Sequence, residues 1–118
     1  MDSKQLAEYA AKACDDKRAE DIVVLDMKDV SLIADYFLIC EGTNERQVQS
    51  IARGIKEMAA EIDMDVKRLE GFEQARWILV DLGDVVCHVF HKEERNYYNL
   101  ERLWGDAPLI ELNMQQEG

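Results

Sequence analysis

The chain has 118 residues and a mass of 13.6 kDa, room for one domain and not two. Its 47% apolar and 33% charged residues suffice for an ordinary core, and by composition they exclude a disordered or membrane-spanning chain. With 14 Lys and Arg against 25 Asp and Glu, the net charge of −11 repels phosphate backbones and anionic lipid. Direct nucleic-acid recognition and membrane binding are therefore disfavoured, and a basic protein surface is the partner such a field attracts.

The first residues predict a helix capped by Asp2 or Ser3, with Leu6, Ala10, Ala13 and Cys14 at helical spacing and an end near 16–18. They carry neither a basic leader nor a long apolar run, so neither a signal nor a transit peptide is expected, and the expected location is the cytoplasm. The run Ile22-Val23-Val24-Leu25 is too short for a helix and apolar throughout, which predicts a central strand buried on both faces. A second strand is expected over 35–40, closed by Glu41-Gly42-Thr43 at a tight strand-to-helix turn. The next helix has the clearest pattern in the chain. Asn44 and Gln47 form a capping-box-like start, and Val48, Ile51, Ala52, Ile55, Met58, Ala59 and Ile62 make one apolar face.

A short edge strand is expected over 66–69, followed by a turn at Glu70-Gly71-Phe72. A hairpin follows, with strands 77–82 and 85–90 joined by Gly83-Asp84. A last helix over 93–104 carries Tyr97, Leu100 and Trp104 on one stripe. The order α-β-β-α-β-β-β-α contains a β-α-β crossover and a hairpin, and so predicts an α/β (α+β mixed) fold with a mixed sheet of about five strands flanked by helices. The expected division is one domain over residues 1–105 and a C-terminal tail over 106–118, which holds the single proline.

Few constellations in this chain could carry chemistry. Cys14, Cys40 and Cys87 are odd in number, far apart and set among apolar residues, which predicts reduced thiols in a reducing compartment. Cys87, His88 and His91 are too spread along one strand to close a metal site. Residues 88 and 91 point to opposite faces, and Cys87 lies about 13 Å from His91. Cys40 beneath His88 would supply a nucleophile and a base but lacks a third member. Asp63 and Asp65, with the Gly42-Thr43 turn as a phosphate rest, resemble a weak metal-dependent nucleotidyltransferase site. Solvated turn residues account for them more simply. No cofactor and no metal are expected.

The remaining pattern is an interaction face. Both alternation sets of the 77–82 strand, Trp77/Leu79/Asp81 and Ile78/Val80/Leu82, are largely apolar. If helices cover one sheet face only, Trp77 and Leu79 are left as apolar anchors beside Asp81, the composition of an interface with a polar rim. Asp81 and Asp84 read first as hairpin-turn residues and second as acceptors for a partner's Lys or Arg. Arg76 would be a rim contact, and His88 on the paired strand would lie alongside. A homodimer that buries Trp77 against its twin is a further possibility.

Several stretches together resemble a known family. They are Ala34-Asp35-Tyr36-Phe37-Leu38-Ile39-Cys40-Glu41-Gly42-Thr43, Arg46-Gln47-Val48, Glu70-Gly71, Ala75-Arg76-Trp77-Ile78-Leu79-Val80-Asp81-Leu82-Gly83-Asp84-Val85-Val86, His88-Val89-Phe90, and the run from Arg95 to Trp104. They closely resemble the bacterial ribosomal silencing factor family (RsfS, Iojap), in the expected order over about four fifths of the chain. That resemblance implies a nucleotidyltransferase-like fold without transferase activity. It also implies binding to the large ribosomal subunit through ribosomal protein L-fourteen, which blocks joining of the small subunit and damps translation when nutrients are scarce.

Overall fold

The computed structural model of the protein describes residues 1–94. In chain order the elements are α1 (Ser3–Asp16), β1 (Glu20–Asp26), β2 (Tyr36–Gly42), α2 (Glu45–Glu61), β3 (Arg68–Glu70), β4 (Trp77–Asp81) and β5 (Val85–His91). The strands form one mixed sheet in the order β1-β2-β5-β4-β3, in which β2 and β5 are parallel and the other neighbours antiparallel. The mixed α/β architecture is the one the sequence predicts. The last helix expected over 93–104, with Tyr97, Leu100 and Trp104, lies essentially outside the described residues, as does the 106–118 tail.

Local chemistry sets the helix ends. Asp2 caps α1 by accepting from the Gln5 backbone N–H, while the Gln5 side chain accepts from the Asp2 N–H, a complete capping box. Asn44 caps α2 through the Gln47 N–H at 2.8 Å. The Gln47 side chain reaches one residue further back, to the Thr43 N–H and hydroxyl. Gly42 suits the close approach here, because a Cβ would meet Val48 Cγ2 and the Val48 nitrogen at 3.0 Å, a tight contact that Val48 would have to yield to.

Both helices pack on the same face of the sheet. Leu6, Ala10 and Cys14 of α1 and Val48, Ile51, Ile55 and Ala59 of α2 form one core with Val24, Tyr36, Leu38, Cys40, Ile78, Val80, Val85, Cys87 and Val89. A second, smaller cluster on the opposite face joins Leu25, Met27, Ile39 and Phe90, with Val23, Phe37 and Trp77 packed against it. Side chains of successive strand residues therefore separate into the two clusters, as the strand period requires.

Two expectations about strands need correction. β1 is an edge strand, not a central one: it pairs with β2 alone. Its run Ile22 to Leu25 is apolar on both sides because Val24 joins the helix-covered core while Leu25 joins the second cluster. Apolar faces record what lies above and below a strand, not how many strands lie beside it. The third strand is indeed an edge, but it begins at Arg68 and not at 66. Asp63, at φ 59°, and Asp65 belong to the exposed turn after α2 and start no strand.

The hairpin forms as expected. The Leu82 N–H donates to the Val85 carbonyl across Gly83-Asp84, and Gly83 at φ 97° takes the first central position that a tight two-residue turn reserves for glycine.

Candidate functional site

The alternation of β4 places Ile78 and Val80 under the helices and Trp77, Leu79 and Asp81 on the opposite face. His88 of β5 pairs with Leu79, and Phe90 pairs with Trp77, so these four side chains share that face. The Trp77 indole Nε1–H donates to His88 Nδ1 at 3.1 Å. The Trp77 and Phe90 rings stack at 5.1 Å between centroids, and Phe37 tilts against His88 at 4.8 Å. The result is an aromatic cluster of Phe37, Trp77, His88 and Phe90, in which Trp77 and Phe37 are half-buried and the other two buried. Trp77, Leu79 and His88 thus come together as expected.

His88 is chemically unusual. Because Nδ1 accepts the indole hydrogen bond, the ring proton resides on Nε2, and that buried N–H has no hydrogen-bond partner among the described residues. Burial lowers the His88 pKa to about 4, so the ring is neutral at pH 7. It is a poor base there and carries no charge toward a partner.

The charged residues are distributed to the two ends of the strand. Asp81 Oδ1 accepts from the Gly83 N–H at 2.8 Å, and its other oxygen lies 3.6 Å from Arg68 Nε. The turn reading of Asp81 therefore holds, and an Arg within the chain already faces its carboxylate. Asp84 is exposed at the hairpin tip, and its carbonyl accepts the Asp35 and Tyr36 N–H groups. Arg76 sits at the other end of β4, about 16 Å away by strand rise. It faces Glu45 at 3.8 Å, Glu93 at 3.4 Å and Glu94 at 3.9 Å.

The alternative chemical sites come apart. Cys40 pairs with Val89 and His88 with Ile39, so Cys40 and His88 occupy opposite faces and cannot act as nucleophile and base. Cys87 lies in the helix-covered core, while His91, at the end of β5, accepts from the Glu93 N–H. Gly42-Thr43 and Asp63 flank opposite ends of the 17-residue α2, about 25 Å apart, and so cannot share a nucleotide. Among the described residues no group of three or more His, Cys, Asp and Glu is placed to hold a metal ion.

Two features escape a sequence reading. The Cys14 and Cys40 sulfurs lie 3.8 Å apart across the α1–β2 contact, and hydrogen bonding with Cys40 together with burial raises the Cys14 pKa. All three cysteines are free and buried. Phe37 and Phe90, the ring partners of Trp77 and His88, are assigned by sheet register, which no local pattern reports.

The family model described as "Ribosomal silencing factor during starvation" matches residues 1–118. The ribosomal silencing factor RsfS of Bacillus subtilis is 65% identical over 113 residues, covering 96% of both chains. The chloroplastic protein Iojap of Arabidopsis thaliana is 31% identical across 98% of this chain and 48% of its own length. A crystal structure from Bacillus halodurans superposes with a TM-score of 0.84 at 58% identity, covering 92% of this chain and 99% of that one. A second, from Chromobacterium violaceum, gives 0.87 at 30% identity over 98% and 95%. A match along the whole chain, in both sequence and fold, places this protein in the ribosomal silencing factor family.

Proposed function

We propose that the protein binds the large ribosomal subunit in the cytoplasm through ribosomal protein L-fourteen. There it blocks joining of the small subunit and represses translation under nutrient limitation. The partner is the one the family resemblance implies. The observation that carries a binding role is the aromatic cluster: Trp77 and Leu79 are half-buried beside His88 on the sheet face away from α1 and α2. Trp77 and Leu79 act as apolar anchors, His88 orients the indole, and Asp81 and Asp84 supply acceptors at one end. Arg76 marks the rim at the other. A net charge of −11 steers this body away from exposed RNA and toward a basic ribosomal protein. A stable contact uses roughly 800 Å² per partner, within reach of a 13.6 kDa domain. Repression then needs occupancy and no catalysis.

Trp77→Ala tests the reading. It is expected to weaken large-subunit binding by about 2 kcal/mol, roughly 30-fold. Unfolding curves must show the variant folded, and Leu79→Ala, which leaves the indole–imidazole bond in place, provides a second probe of the same face. Unchanged binding by both folded variants would remove this face from the interface. Light scattering at several concentrations distinguishes this from the homodimer, in which the same face would meet its twin.

A further inference from the structure

The largest exposure of apolar side chains among the described residues is concentrated in the loop between β1 and β2. Val30 is 51% exposed, Ile33 83% and Leu32 fully so. Turns of this kind favour Gly, Asn, Asp and Ser, which hydrogen-bond locally or accept positive φ, and a Leu-Ile pair at the tip offers neither property.

The loop is held, not loose. The Met27 N–H donates to the Asp35 carbonyl at 2.7 Å, and the Ser31 N–H donates to the Met27 carbonyl at 2.7 Å. The Ser31 hydroxyl accepts from the Ile33 N–H. Lys28 Nζ donates to the Tyr36 hydroxyl at 3.0 Å, and the Lys28 N–H donates to Asp26 Oδ1. Met27, Ala34 and Tyr36, at the two feet, are all buried. The apolar tip therefore projects from a fixed base, so a partner meets it with little ordering left to do.

Its surroundings are acidic. The carbonyl of Asp84 accepts the Asp35 N–H at 2.7 Å, which sets the hairpin tip against the loop. Asp29, Asp35 and Asp84 have no Lys or Arg within salt-bridge distance among the described residues, whereas the ammonium of Lys28 is already beside Asp26 at 3.9 Å. An apolar tip with acidic residues at its feet and on the adjoining hairpin, none of the three in a salt bridge among the described residues, repels RNA and fits an apolar recess on a basic protein.

We infer that the 30–33 loop is a docking element that seats Leu32 and Ile33 in an apolar recess of a basic ribosomal protein on the large subunit, with Asp29, Asp35 and Asp84 meeting its cations. The inference rests on the large-subunit reading above and extends that interface beyond the Trp77 face, through Asp84, to the end of the sheet.

The test compares the full chain with a Leu32→Ser, Ile33→Ser double variant in equilibrium sedimentation with purified large subunits, and with isolated L-fourteen and protein-free large-subunit RNA. Because both side chains are exposed, the midpoint of thermal unfolding should not move. The expected result is binding by the natural chain to subunits and to a basic ribosomal protein, weakened about tenfold or more in the double variant, with no loop-dependent binding to RNA. Equal binding by a folded double variant overturns the inference and leaves the large-subunit reading standing. Failure of the natural chain itself to bind removes both. Loop-dependent binding to bare RNA, or loop-dependent self-association with subunit binding unchanged, assigns the loop to another occupant and also overturns it.

Discussion

The two faces of the sheet come from the same strands and differ in what they do with polar atoms. On the helix-covered face, Leu38, Ile78, Val80 and Val89 meet α1 and α2, and the polar groups among them are the weakly polar thiols of Cys14, Cys40 and Cys87 and the Tyr36 hydroxyl, which accepts from Lys28. On the other face, Ile39 and Phe90 are as deeply buried, yet they sit beside His88, whose Nδ1 accepts the indole hydrogen while its Nε2–H has no partner among the described residues. A buried donor left without a partner costs about 1–3 kcal/mol, so the surroundings of this ring matter more than those of the aliphatic side chains beside it. The first face is organised for stability; the second holds a tryptophan at a set angle beside a neutral ring, an arrangement suited to a contact surface.

Substitutions can break that contrast, the largest effect falling on the helix-covered face. Leu38→Ala leaves a cavity beneath both helices and is expected to lower stability by about 3–4 kcal/mol in denaturant unfolding. On the second face the sensitive variable is pH. His88 titrates near 6.5 in the unfolded chain and at about 4 in the folded one, so acid favours the unfolded state. The stability it preserves is complete above pH 6.5 and is lost as pH falls toward 4, by roughly 3 kcal/mol in all. His88→Phe should flatten that limb of the stability profile, and a variant with the same acid limb as the natural chain would assign the sensitivity to carboxylates. A smaller effect is expected for Trp77→Phe, which keeps a ring against Phe90 but removes the donor to His88, at a cost of about 1 kcal/mol. The smallest effect on stability is that of Asp84→Lys at the exposed hairpin tip, within about 0.5 kcal/mol. Its signature is kinetic: slower association with large subunits at low salt, with the difference closing at high salt.

Much of this architecture was legible along the chain. The α2 face from Val48 to Ala59 follows from helical spacing, the capping residues Asp2 and Asn44 from their side-chain chemistry, and the hairpin from Gly83-Asp84 between two apolar strands. Local pattern also identified Trp77 and Leu79 as an alternation set that helices need not cover. Sheet order was not legible, because lateral pairing depends on contacts between distant segments, and so β1 looked central from its apolar faces. The Trp77–His88 hydrogen bond and the rings of Phe37 and Phe90 depend on that same register. The apolar tip at Leu32 and Ile33 has no periodicity to announce it; its exposure appears only once the feet of the loop are fixed. Asp81 shows the opposite limit, since its spacing from Gly83 predicts the turn bond but nothing nearby predicts Arg68 from β3.

The central claim is that this acidic domain works by occupying the large subunit. It is tested most directly by co-sedimentation of the purified protein with isolated large and small subunits at low and high salt, coupled to an assay of subunit joining. The account predicts selective pelleting with large subunits and a matching loss of joined ribosomes. Pelleting with neither subunit at either salt, or binding that leaves joining intact, would contradict it.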